Sequence, residues 1–148
     1  MKQKFVDLYT DWAKRLSELS HARRLKVGAV IVKNDTVISY GYNGMPAGWD
    51  NNCENEIGLD IKNNTVLKTK PQVLHAETNA IAKLAKNNNS GQDADIFITH
   101  APCLECAKLI CQSGIRRVWF GQSYRDDTGI EFLQKSGIEV TKHDNTKI

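Results

Sequence analysis

His75-Ala76-Glu77 and, further along the chain, Pro102-Cys103-Leu104-Glu105-Cys106 decide how this sequence is read. One imidazole and two thiolates supply three ligands of the kind zinc takes, and zinc completes a tetrahedron with a fourth. A structural site recruits a fourth side chain, whereas a catalytic site leaves that position to water. Glu77 is close enough in sequence to His75 to handle a proton at such a site without binding the metal. A lone C-x-x-C is a weak signal. The two halves together, in this order and with the proline in place, are a strong one.

Outward from these motifs, Leu74 to Lys86 carries Ala76, Ala80, Ile81 and Leu84 in helical register, and Asn87 to Gly91 ends that helix. Asp95 to Thr99 reads as a strand, and Pro102 precedes a second helix running to Cys111 and closed by Gly114. Arg117 to Phe120 is a strand, Gly129 to Ser136 a helix and Ile138 to Thr141 a last strand. Upstream, Val27 to Val32 and Thr36 to Tyr40 flank the turn residues Lys33-Asn34-Asp35 as a hairpin. Gly41 to Pro46 should be a loop at the sheet's end, and Asp50 to Pro71 a polar insertion with little regular structure. Phe5, Leu8, Trp12, Leu16 and Leu19 suggest the apolar face of an N-terminal helix. Strands alternating with helices predict an α/β sandwich with much of the sheet in parallel order.

The chain has 148 residues, enough for one domain with a proper core, and a net charge of only +3 from 20 basic and 17 acidic residues. That balance suits a local patch for an anionic small molecule and argues against a duplex-binding stripe. The opening residues lack the apolar core of a signal peptide, and no apolar run reaches membrane-spanning length. The expectation is a soluble, cytoplasmic protein. In that setting the C-x-x-C reads as metal or redox chemistry, not as part of a disulfide framework.

Helix N-termini are apt places for such ligands, because their free N–H groups and partial positive charge favour the thiolate form. Zinc lowers the pKa of a bound water to about 7, which makes hydroxide available at neutral pH. Glu77 would take the water proton, hand it to a ring nitrogen of an amidine-like substrate and help protonate the departing amine. The competing reading is a closed structural site with Cys111 or His100 as fourth ligand. Cys111 reads instead as a small buried hydrophobe, and His100 as a residue that caps a strand or lines a pocket.

H-x-E followed by P-C-x-x-C is the zinc deaminase signature. With Lys26-Val27-Gly28-Ala29-Val30-Ile31, Gly41-Tyr42-Asn43-Gly44-Met45-Pro46 and Val73-Leu74-His75-Ala76-Glu77, the chain resembles the cytidine and deoxycytidylate deaminases over nearly its whole length. The G-Y-N-G-x-P stretch is similar to that of the dCMP deaminases. The resemblance implies a three-layer α/β/α sandwich with a mixed central sheet of about five strands, built as a single domain over residues 1–148. It implies Zn²⁺ held by His75, Cys103 and Cys106, with Glu77 as proton shuttle. It also implies substrate contacts from Asn43 and the Ala76 backbone N–H, a 5′-phosphate held by Arg24 or Lys26, and Tyr124 near the substrate. Some family members carry a second zinc. His21 and Cys53 are its possible remnants here, but Lys68 to Leu74 offers neither Cys nor His, so one zinc per chain is expected.

The implied reaction is deamination of dCMP to dUMP for thymidylate synthesis, in a homo-oligomer, often a hexamer. Family regulation adds activation by dCTP and inhibition by dTTP, with Mg²⁺ accompanying the triphosphate. The effector site would involve Gly41, Tyr42, Gly44 and Lys86. Competing readings are a tRNA adenosine deaminase, a free-cytidine deaminase, a riboflavin-pathway deaminase and a zinc-stabilised module binding single-stranded nucleic acid. The last needs an exposed stacking platform. With Trp12 in the apolar stripe and Trp119 in a strand, only Trp49 would be available.

Overall fold

Gly28–Lys33 (β1) has Ala29, Val30, Ile31 and Val32 at its centre, all essentially inaccessible to solvent, so it is buried on both faces. It pairs antiparallel with Thr36–Tyr42 (β2) through a turn whose Asn34 and Asp35 both adopt positive φ, a conformation these two residue types tolerate. On its other side β1 pairs antiparallel with Asp95–His100 (β5). Arg117–Gln122 (β6) and Glu139–Lys142 (β7) then continue the sheet in parallel. The order is β2-β1-β5-β6-β7, a mixed five-stranded sheet in which only the β5-β6-β7 half is parallel. The structure, a computed structural model, describes residues 1–144.

The strand period of two sorts the core into two layers. Ala29, Ile31, Ile96, Ile98 and Val118 point to one face, where Ala76–Lys86 (α2), Leu104–Gln112 (α3) and Thr128–Lys135 (α4) cover them with Ala80, Leu84, Ile110 and Leu133. Val30, Val32 and Phe97 point to the other face, beneath Gln3–Ser17 (α1). The result is three layers, α/β/α. Side chains as deeply buried as Ile31, Ile96 and Phe97 each contribute roughly 1.5–3 kcal/mol by leaving water.

Three expectations require correction. The buried face of α1 is Val6, Tyr9, Thr10, Ala13 and Leu16, while Leu8, Trp12 and Leu19 are exposed. The small residues win because α1 lies very close to β1: a Cβ on Gly28 would fall on the Ala13 carbonyl. Trp12 therefore belongs to the outer surface. Gly41 and Tyr42 are strand residues, not loop; β2 runs through them because α2 packs directly on Gly41.

The segment 50–71 is not irregular either. Glu54–Leu59 (β3) and Thr65–Thr69 (β4) form a separate antiparallel hairpin. Its turn is held by the Asp60 side chain, which accepts from the Lys62 and Asn64 N–H groups, with Asn63 at φ 62. Nearly all of β3 beyond Glu54 is exposed, so the hairpin has little of the apolar alternation by which strands are recognised.

Candidate active site

The two zinc-type motifs meet where the N-termini of α2 and α3 converge. His75 is the N-cap of α2 and Cys103 the N-cap of α3, and neither side chain caps its own helix. Both instead face a common point with Cys106, one turn into α3. His75 Nδ1 lies 3.2 Å from Cys106 Sγ and 3.7 Å from Cys103 Sγ. The three ligand atoms all fall within 4.8 Å of one another. Tetrahedral zinc with ordinary bond lengths separates an N and an S ligand by about 3.6 Å and two S ligands by about 3.8 Å, so the donor set fits that ion. Among the described residues no other cluster of three or more such side chains occurs.

The three groups are electrostatically coupled. Hydrogen bonding from Cys106 holds the Cys103 thiol down at about 4, helped by His75. The same bond and burial push the Cys106 thiol up. His75 is raised, chiefly by its hydrogen bond to Cys103. Glu77, in the first turn of α2, is buried, and desolvation raises its carboxyl above the ordinary glutamate range. A buried carboxyl beside the ligand cluster, raised in this way, has the chemistry of a group that can hold and pass on a proton.

One pocket joins these groups to several of the residues singled out from the sequence. Its lining includes His75, Ala76, Glu77 and Cys103 together with Arg24, Asn43 and Tyr124. Ala76 is the first helical residue, so its N–H has no partner within the helix. Of the three basic residues ahead of β1, Arg23 turns away, pairing with Glu54 and Glu56 and donating to Asn52. Lys26 is exposed and does not line the pocket. Arg24 does line it, and among the described residues its guanidinium has no ion-pair partner.

Asn43 has a further task. Its Oδ1 accepts from the Val27 N–H at 2.9 Å and its Nδ2 donates to the Leu25 carbonyl at 2.8 Å, so the amide clamps the strand entry beside the pocket. Gly44 exchanges two backbone hydrogen bonds with Leu74 and so fixes where His75 enters α2. A Cβ on Gly41 would sit 2.5 Å from the Ala76 carbonyl oxygen and 2.8 Å from the Ala80 nitrogen. The Tyr42 carbonyl accepts from Asn79 of α2. Lys86 is exposed in the last turn of α2, about 9 Å further along the helix axis than Ala80, so the structure does not bring it beside Gly41 within one chain.

His100 lines the pocket and Cys111 packs against the core, so neither joins the ligand cluster. Cys53 is buried with Ala22, Val73 and Met45, and His21 is exposed. Sequence reasoning missed Leu25, Val27, Thr69, Val73 and Ala101 as lining residues. Val73 lies just upstream of the H-x-E and could have been suspected; nothing pointed to Thr69, at the end of the hairpin.

The family model for the zinc-binding region of cytidine and deoxycytidylate deaminases matches residues 2–122. The chain belongs to this family. Within the family it is 33% identical to the deoxycytidylate deaminase of Enterobacteria phage T2, over 84% of this chain and 85% of that protein. It is 36% identical to the human deoxycytidylate deaminase, covering 81% of this chain and 70% of that one. Among solved structures, the dCMP deaminase of cyanophage S-TIM5 in complex with dCMP and dUMP superposes with a TM-score of 0.86 at 39% identity, covering 97% of this chain and 99% of that one. As a member of this family of deaminating hydrolases, the chain is an enzyme, and its His75, Cys103 and Cys106 are placed as a possible metal site. No helix among the described residues is long and apolar enough to cross a membrane.

Proposed function

We propose that this protein is a zinc-dependent dCMP deaminase, hydrolysing dCMP to dUMP and so supplying dUMP for thymidylate synthesis. The observation that carries the substrate is the composition of one pocket: His75, Cys103 and Glu77 share it with Arg24, whose guanidinium has no ion-pair partner among the described residues. His75, Cys103 and Cys106 would hold zinc, which when bound supplies Lewis acidity and lowers the pKa of water in its fourth position to about 7. Glu77, desolvated and lining the pocket, moves the protons: it accepts one from water, delivers it to the cytosine ring nitrogen and assists departure of ammonia. The Ala76 N–H, free at the start of α2, donates to the base carbonyl. Arg24 binds the 5′-phosphate, for which a planar fork of donors is suited. Tyr124 closes the pocket near the sugar, and Asn43 aligns the strand entry that carries Leu25 and Val27 into it.

Steady-state kinetics of the zinc-loaded protein on dCMP and deoxycytidine test this reading. A strong preference for dCMP that Arg24→Ala abolishes is expected; equal turnover of the nucleoside would refute the phosphate subsite. Regulation by dCTP and dTTP with Mg²⁺ in a homo-oligomer belongs to the same proposal. It is supported by the contact of β2 with α2, since a ligand on the Gly41 to Gly44 segment would press on the helix that starts at His75. Sigmoidal dCMP kinetics made hyperbolic by dCTP and suppressed by dTTP are its expected signature.

A further inference from the structure

Between α1 and β1 the chain passes from Ser20 to Val27 without regular structure, yet it forms one wall of the pocket. Apart from one backbone bond, Asn43 N–H to the Val27 carbonyl, side chains hold it there. Ser20 Oγ donates to the Asn43 carbonyl and accepts from the Ala22 N–H, and the Asn43 amide clamps Leu25 and Val27. Between these two staples lies Glu54, the first residue of β3. It is only 1% exposed, and its carboxylate accepts the Arg23 N–H at 3.0 and 3.2 Å and the Arg24 N–H at 2.9 Å.

We propose that Glu54 is a positioning residue that aims Arg24 at the substrate's 5′-phosphate. An anion bound by two successive backbone N–H groups fixes the orientation of both peptide units. The consequence is visible in the two side chains, which part company. Arg23 folds back on the carboxylate, with Nε 3.6 Å from Glu54 Oε1, whereas Arg24 is left to line the pocket. Thr69, paired with Glu54 across the hairpin, lines the same pocket. The hairpin root therefore supplies both a piece of the wall and the carboxylate that orients the cation. A buried carboxylate with three N–H contacts and a guanidinium neighbour is fully satisfied, so it acts through geometry.

This inference rests on the reading of Arg24 as the phosphate ligand, and the experiment separates the two. The zinc-loaded Glu54→Gln, Glu54→Asp and Arg24→Ala variants, and the Glu54→Gln/Arg24→Ala double variant, are assayed on dCMP and on deoxycytidine. Glutamine keeps the shape but turns an NH₂ donor toward a backbone N–H donor. Its kcat/KM for dCMP should fall roughly 10-fold through KM, as expected when a binding group is misplaced, while deoxycytidine turnover stays within about twofold. In the Arg24→Ala background the same change should add little. Glu54→Asp, which keeps the charge but draws it back by one methylene, should fall between, and it carries the test if the glutamine variant does not fold. Equal losses on dCMP and deoxycytidine would overturn the proposal by reducing Glu54 to a structural residue. A normal dCMP preference in the folded Glu54 variants, with that preference lost in Arg24→Ala, would overturn it while sparing the phosphate reading. An unchanged preference in Arg24→Ala would remove that reading and the proposal with it.

Discussion

Gly41→Ala is the smallest change that should disable the site from outside the pocket. Gly41 lies in β2, and a methyl group there would meet the Ala76 carbonyl oxygen at 2.5 Å, the Ala80 nitrogen at 2.8 Å and the Asn79 Cβ at 3.0 Å. Two of these three obstacles are backbone, so no side-chain rotation relieves them. Restoring ordinary contact, which begins at 3.4 Å, requires the start of α2 to retreat by about 0.9 Å. Ala76 stands between a zinc-type ligand and the proton-shuttling glutamate, so both would move with it. Overpacking of this kind costs typically 1–3 kcal/mol, equivalent to a fall of several degrees in Tm for a chain of this size. A shift of about 1 Å in a reacting group can cost on the order of 100-fold in rate. Differential scanning calorimetry and steady-state turnover of dCMP by the zinc-loaded variant measure the two effects. A variant with unchanged Tm and kcat within about twofold of the parent would refute the claim that α2 is seated on this glycine.

Other perturbations have equally definite outcomes. Glu77→Gln should retain zinc and fold but lose roughly 100- to 10,000-fold in kcat, because the amide cannot carry the proton; substantial residual turnover with zinc present would remove Glu77 from its role. Metal analysis should find one zinc per chain, and Cys103→Ala should lose both the metal and thermal stability. Burial lowers the His100 pKa below 6.5, and its Nδ1 lies 2.9 Å from Thr99 Oγ1. A histidine depressed in the folded state stabilises the fold above its unfolded pKa, and that contribution is lost as pH falls through the lower folded value. Urea unfolding should therefore show a loss below pH 6.5 that is smaller in His100→Asn than in the parent.

The clustering of His75, Cys103 and Cys106 was legible in the sequence because two of the three also mark helix starts: His75 and Cys103 are N-caps, so motif and secondary structure point to the same place. Buried strands such as β1 were legible from their uninterrupted β-branched residues. The α1 face was not, because spacings of three and four admit two registers. Leu8, Trp12 and Leu19 form the more apolar stripe, but contact with Gly28 selects the one through Ala13. The hairpin at 54–69 escaped notice since most of it is solvated and its one essential buried residue, Glu54, is charged. Sequence position alone did not tell that Arg24 lines the pocket and Lys26 does not. The backbone N–H groups of Arg23 and Arg24 are bound by a carboxylate some thirty residues away, a contact that no local pattern announces.

The two halves of the pocket are fastened by different means. The ligand trio and Glu77 ride on helices packed against the sheet, so their positions are tied to the integrity of the whole core. The 20–27 wall and the hairpin root are held by side-chain hydrogen bonds from Ser20, Asn43 and Glu54, a few backbone bonds and the small cluster of Ala22, Cys53 and Val73. Substitutions in the second half can alter which molecule is admitted without disturbing bond cleavage, because they leave the helix pair untouched. A lineage could thus diversify its substrates by rewriting the 20–27 wall and the 54–69 hairpin, leaving β1, β2 and the helices that carry the ligand trio in place. In a library confined to those recognition segments, altered substrate range should be far commoner than loss of the fold.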